Sequence, residues 1–174
     1  MQTWQARAES SADVVSLIKS GHHVFVHGAS ATPTTLLDAL CLRDDLEDVT
    51  LYHLHTAGHS GFAEERHRGR FRSVSLFVGP ALRGAVADGR AEFIPVFLSE
   101  IPELFLSRRI ALDAAIVQLS PPNRHGHCTL GTSVDAAMAA VVRAPLVLAG
   151  NQRSDAAHAR AFGRLRSGVT CRIA

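Results

Sequence analysis

Short β-branched and aromatic runs alternate along this chain with stretches whose apolar positions recur at helical spacing. Residues 11–20 (SADVVSLIKS) bring Val14, Val15, Leu17 and Ile18 onto one helical face, and Gly21 supplies the stop. HVFVH at 23–27 predicts a strand. The loop GASATP then leads into a helix over 34–42, with Thr32 as N-cap and Pro33 at the first helical position. Two more strands are expected at 49–55 (VTLYHLH) and 73–78 (SVSLFV), joined by a Gly- and Arg-containing connection long enough to form part of a site.

The second half repeats the alternation. A short helix over 80–88 is closed by Gly89, a strand is expected over 93–98, and a helical turn over 100–106 follows a Ser99 cap. LDAAIVQL at 112–119 is almost continuously apolar, the mark of a central parallel strand covered on both faces. After the loop SPPNRHGHCTLGTS come a helix over 134–142 and a last strand over 146–149. Regular strand–helix alternation predicts an α/β fold, a three-layer α/β/α sandwich with a mostly parallel sheet, filling residues 1–150 as one domain. Residues 151–174 are rich in Arg and Ala without an apolar face, so an irregular or weakly helical tail is expected there.

Composition narrows the function classes. With 47% hydrophobic and 20% charged residues, the chain has the make-up of a folded enzyme domain. The formal charge of +2 comes from the tail, which carries +4, whereas residues 1–150 carry −2; a nucleic-acid partner is therefore not expected. No apolar run reaches membrane-spanning length, and the first 20 residues lack a hydrophobic signal core, so no membrane association and a cytoplasmic location are expected. Cys41, Cys128 and Cys171 are too few and too scattered for a disulfide framework.

In a parallel sheet, ligands gather beyond the carboxyl ends of the strands, where loops meet helix N-termini. Two loops qualify. Gly28-Ala29-Ser30-Ala31-Thr32-Pro33 is small enough for close backbone approach, but has neither the Walker GK[ST] nor GxGxxG. The second, 120–133, follows the most apolar strand and carries Ser120, Pro121, Pro122, His125 and Gly126. His125, His127 and Cys128 are crowded for a zinc site and lack a second ligand cluster, so no metal is expected. Cys128 has no assignable acid to orient a histidine beside it. His27, His53 and His55 are read as structural, and Arg66, Arg68, Arg70 and Arg72 would line one side of an extended segment, as a phosphate track or a solvated face.

Four strings in order, VFVHGASATPTTLLDAL, VTLYHLHTAG, SLFVGPALRGAVADGRAEFIPVFLSEIPELF and LDAAIVQLSPPNRHGHCTLGTSVDAAMAAV, resemble the N-terminal domain of the acetyl-CoA hydrolase/transferase family, which includes 4-hydroxybutyrate CoA-transferase. The resemblance implies a NagB/RpiA/CoA-transferase-like fold with a second such domain, and a coenzyme A thioester as substrate alongside a small carboxylate. In that family a glutamate of the second domain attacks the thioester, forming an acyl-glutamyl anhydride and then a glutamyl-CoA thioester. By that resemblance Gly28, Ala29, Ser30, Ala31, Pro33, Ser99, Glu100, Ser120, Pro121, Pro122, His125 and Gly126 face the substrate, and no residue of this chain is catalytic. After Ala149 the string NQRSDAAHARAFGRLRSGVTCRIA departs from the family pattern. The expectation is half of a CoA-transferase or acyl-CoA hydrolase, truncated and inactive alone, meeting a second domain or another copy of itself. A non-catalytic module of the same fold, binding a carboxylate, phosphosugar or acyl-CoA, is the alternative.

Overall fold

The computed structural model describes residues 9–58, 60–125, 127–151 and 161–162. Six parallel strands form the sheet: β1 (His23–Val26), β2 (Val49–Leu54), β3 (Phe71–Phe77), β4 (Ala91–Phe93), β5 (Ala114–Leu119) and β6 (Leu146–Asn151). A two-residue strand, β7 (Ala161–Phe162), is added antiparallel to β6, giving the order β4-β3-β2-β1-β5-β6-β7. The helices are α1 (Ser11–Val15), α2 (Thr34–Cys41), α3 (Arg83–Ala87), α4 (Ile101–Leu106) and α5 (Ala137–Arg143).

Period-two alternation explains the layering. Val24, Val26, Leu51, Ala114 and Ile116 point to one face and pack with Val14, Val15, Leu36, Leu40 and Ala85 of α1, α2 and α3. Phe25, Tyr52, Val74, Ala115 and Val117 point to the other and meet Ile101 and Phe105 of α4 and Ala137 and Ala140 of α5. Every residue of β2 is buried, as expected for a strand covered on both sides. This is the expected α/β/α sandwich.

The order also fixes where a ligand belongs. From β1 the chain moves outward through β2, β3 and β4, then returns to place β5 on the other side of β1. Connections therefore diverge between β1 and β5, and their carboxyl ends leave a crevice at this switch point.

Several local expectations are corrected. The first α-helix ends at Val15, and the turn continues through Leu17 N–H to Val14 O and Ile18 N–H to Val15 O, which keep Ile18 buried. Pro33 stands at the N-cap position of α2, not inside it. The Thr32 hydroxyl instead donates to Ala29 O at 2.9 Å and accepts the Ala57 N–H at 3.1 Å. The strand expected over 93–98 lies at Ala91–Phe93 and stops before Pro95, which cannot donate to a ladder. Ser99 caps nothing: it lies within a 3-10 turn, Leu98–Glu100, and Glu100 takes the N-cap position of α4 without a side-chain bond. The last helix starts at Ala137 rather than 134.

The four arginines form no track, because the connection folds into two 3-10 turns, Gly61–Ala63 and Glu65–His67. Arg66 pairs with Glu64 and Arg68 with Glu65, each at 2.9 Å; Arg70 donates to Arg43 O, and Arg72 grips Glu92 with two nitrogens. In the stretch read as weakly helical, Ala161–Phe162 is strand, pairing with Gly150 and Ala149 of β6, whose outer edge would otherwise leave backbone groups unpaired.

Candidate functional site

At the switch point the two expected loops meet. The β1 chain end turns at Gly28, where a Cβ would overlap the Leu54 carbonyl oxygen of β2, so glycine is required by strand packing. Ala29 follows in the left-handed region (φ 52) and donates its N–H to His55 O at 2.9 Å. His55 is itself left-handed (φ 44), its ring tilted 33° against that of Phe77 with centroids 4.0 Å apart. Two strained non-glycine residues are thus coupled at the carboxyl ends of β1 and β2, in the manner of a backbone held for function.

Ser30 reaches across the crevice, its Oγ 3.2 Å from both Thr132 Oγ1 and Ser133 Oγ. Beside this bridge lies a cavity of about 240 Å³, its lining including Ser30, Ala31, Ser120, Pro121, Thr129 and Thr132. Loop 120–133 is cross-tied on its own account. Ser120 N–H donates to Thr129 O, Thr129 N–H donates to Ser120 Oγ, and Asn123 Oδ1 accepts the N–H groups of His125 and His127.

Buried His27 clamps the crevice from below. Nε2 faces Ser133 O and Nδ1 faces the Gln118 N–H, a pairing that fits the neutral ring with its proton on Nε2. Burial is the main force lowering its pKa below the ordinary histidine value, opposed by the Ser133 and Gln118 backbone groups and the Asp135 charge.

Of the residues expected from the sequence, Ser30, Ala31, Ser120 and Pro121 line the cavity. Gly28, Ala29 and buried Pro33 shape the loop behind them without lining it. Ser99 and Glu100 are exposed on the turn before α4, and neither they nor Pro122 line this cavity. His125 is exposed and accepts from Arg124 Nε at 2.9 Å, and Gly126 lies outside the described residues. Thr129 and Thr132 were missed; their position in a loop gives no periodic signal.

His27 and His53 are buried, as their structural reading expects. His53 is buried against Phe62 and hydrogen-bonded to Ser73 Oγ at 2.8 Å, with its pKa lowered to about 4 by desolvation. Cys128 packs in the core beneath loop 120–133, and burial likewise holds the Cys41 thiol up at about 11. Among the described residues no three His, Cys, Asp or Glu side chains converge to hold a metal ion, and no helix is long and apolar enough to cross a membrane. A larger cavity, about 380 Å³, opens beside the amino ends of β2 and β3, where Arg68, Arg72 and Glu92 are engaged in ion pairs. It lies at the wrong end of the strands for a switch-point site.

The hydroxyl-lined crevice of this α/β/α sandwich stands at the β1/β5 switch point, where parallel α/β sheets take small ligands. The acetyl-CoA hydrolase/transferase N-terminal domain profile matches residues 1–156, and the chain belongs to that family. It is 41% identical over 145 residues to a succinyl-CoA:acetate/propanoyl-CoA:succinate CoA transferase of Fasciola hepatica, covering 82% of this chain and 30% of that protein. A 4-hydroxybutyrate coenzyme A transferase of Clostridium kluyveri is 32% identical over 149 residues, covering 85% and 35%. Among solved structures, a 4-hydroxybutyrate CoA-transferase from Porphyromonas gingivalis superposes with a TM-score of 0.69 at 26% identity, over 92% of this chain and 37% of that one. RipA from Yersinia pestis superposes at 0.75 and 24% identity, covering 85% and 37%. The chain thus spans about a third of the length of these relatives.

Proposed function

We propose that this chain forms the acyl-side wall of a CoA-transferase or acyl-CoA hydrolase site, while the carboxylate that attacks the thioester comes from a second domain outside these residues. The observation that carries this reading is the switch-point cavity itself: it has the hydroxyl and apolar lining of an acyl pocket, and no Asp or Glu among its lining residues. The relatives extend well beyond the matched third, which supports a second domain acting beside this one. So does the surface: Phe77, Phe93, Phe97 and Leu98 are all exposed near the carboxyl ends of β3 and β4, with Phe97 at 76%. Apolar side chains clustered there need a cover, either the second domain or another copy. Substrates in this reading are an acyl-CoA and a small carboxylate.

The test is CoA transfer from acetyl-CoA to propionate or butyrate by the purified chain, alone and mixed with a family second domain supplied as a separate polypeptide. Turnover is expected only in the mixture. Efficient transfer by the chain alone, or a glutamyl-CoA adduct trapped on Glu100, would end the proposal. The uncharged lining also serves a second reading, a binding module without catalysis. In that case acyl-CoA raises the melting temperature of the chain, yet adding the second domain elicits no turnover.

A further inference from the structure

The amino end of the sheet, opposite the crevice, carries two patches of contrary charge, each built on exposed apolar side chains. On the α1/α2 face, Arg43 donates to Val15 O at 2.7 Å and Ile18 O at 3.4 Å, tying the two helix ends together. Leu17 and Leu42 emerge there, Leu42 at 84% exposure, and the connection into β2 adds Asp44, Asp45, Glu47 and Asp48. Arg43 grips Asp45 with two nitrogens, whereas Asp44, Glu47 and Asp48 are exposed and close no ion pair among the described residues. Half-buried Arg70 is turned onto Arg43 O and the His67 ring, so the carboxylates outnumber the cations beside them, Arg43 and Lys19.

On the α4/α5 face Arg143 plays the corresponding part, donating to Leu106 O at 2.6 Å. Leu106 and Val142 are exposed beside it, Val142 at 65%, and the connection into β5 adds Arg108 and Arg109, exposed and without an ion pair among the described residues. Asp113, at the end of that connection, is engaged by the His23 N–H at 2.8 Å. Since β2 and β5 flank β1 in a parallel sheet, the two patches stand side by side at the same end of the molecule.

We propose that this amino-end face is a self-recognition surface, where a second copy of the chain sets Leu42 and the acidic connection against Leu106, Val142 and the three arginines. A single two-fold axis satisfies both patches: when the negative patch of one copy covers the positive patch of the other, the reciprocal contact forms as well. Apolar side chains at the centre supply burial, and the charges around them set orientation. Like patches brought together would face arginine with arginine. The crevice and Phe97 lie at the carboxyl end, so the pair leaves both open.

Sedimentation equilibrium of the full chain reads mass against concentration and salt. Wild type should approach twice the mass of the chain, and added salt should weaken the pair by screening its charges. Asp44→Lys with Glu47→Lys, and separately Arg108→Glu with Arg109→Glu, place like charges across the axis; each double variant should raise the dissociation constant about tenfold or more. Mixed in equal amounts, the two should form a heterodimer about as tight as the wild-type pair, a recovery that misfolded chains would not give. Phe97→Ser should leave wild-type pairing intact. A wild-type chain monomeric up to roughly 0.1 mM, double variants that each pair as well as wild type, or a mixture that stays monomeric overturns the proposal. So does loss of the pair on Phe97→Ser, which would move self-association to the carboxyl-end cluster.

Discussion

His27 Nε2 donates to the carbonyl of Ser133, 106 residues away in sequence, while Nδ1 accepts the Gln118 N–H at 3.3 Å. One neutral ring thus ties the end of β1 to β5 and to the last turn of loop 120–133. A protonated ring would present a donor to the Gln118 N–H, so the clamp works only in the neutral state.

Stability should therefore fall with acid in a defined window. The folded-state pKa values of His27 and His53 are both lowered, with desolvation the leading cause, and that of His53 is about 4. Unfolded, both take up protons near 6.5, so their contribution is complete above that pH and is lost as pH falls toward the folded values. Each proton adds about 1.4 kcal/mol per pH unit inside the window. Urea unfolding of wild type at pH 7 and pH 5 should show the drop, and His53→Gln should flatten it. A wild-type stability equal at both pH values would contradict the neutral clamp.

Gly28 and Gly84 should respond oppositely to alanine. At Gly28 the new methyl meets the Leu54 carbonyl, backbone against backbone, and the expected loss is about 3 kcal/mol or more. Within α3, Gly84 has open space around its Cβ direction and an ordinary φ, so alanine there should add about 0.5–1 kcal/mol. Paired thermal melts decide both.

Glu100→Gln should leave turnover of the reconstituted enzyme within about an order of magnitude of wild type, since loss of a true nucleophile costs several orders. Glu100 is exposed on its turn and absent from the lining of the cavity beside Ser30, where the proposed function puts the thioester.

Phe97→Ser should change stability by less than about 0.5 kcal/mol, because the side chain is largely in solvent already. Association is where its effect belongs. Sedimentation of the mixture with the second domain should show weaker pairing for the variant, and unchanged pairing would remove Phe97 from the interface.

The apolar pattern alone carried the layers. LDAAIVQL, almost continuously apolar, had to lie inside, and alternation in HVFV sent Phe25 to one face and Val24 and Val26 to the other. Gly21 and Gly89 were legible as stops and have φ values of 75° and 70°. Less legible were features decided by competition among neighbours. Thr32 looks like a helix cap in isolation, but two partners, Ala29 O and Ala57 N–H, claim its hydroxyl. The arginines of 66–72 look like a track until Glu64, Glu65 and Glu92 come within reach.

The class of fold and the family were legible in the sequence, as were the two loops that the structure brings together at the crevice, because periodicity and motif are local properties. Only the tertiary structure decided that Ser30 meets Thr132 and Ser133, that His27 stands neutral beneath them, and that Glu100 lies apart. The reason is that hydrogen bonds form between groups within about 3 Å of one another. Which residues a hundred positions apart come that close is settled by the strand order of the sheet, which places β5 beside β1.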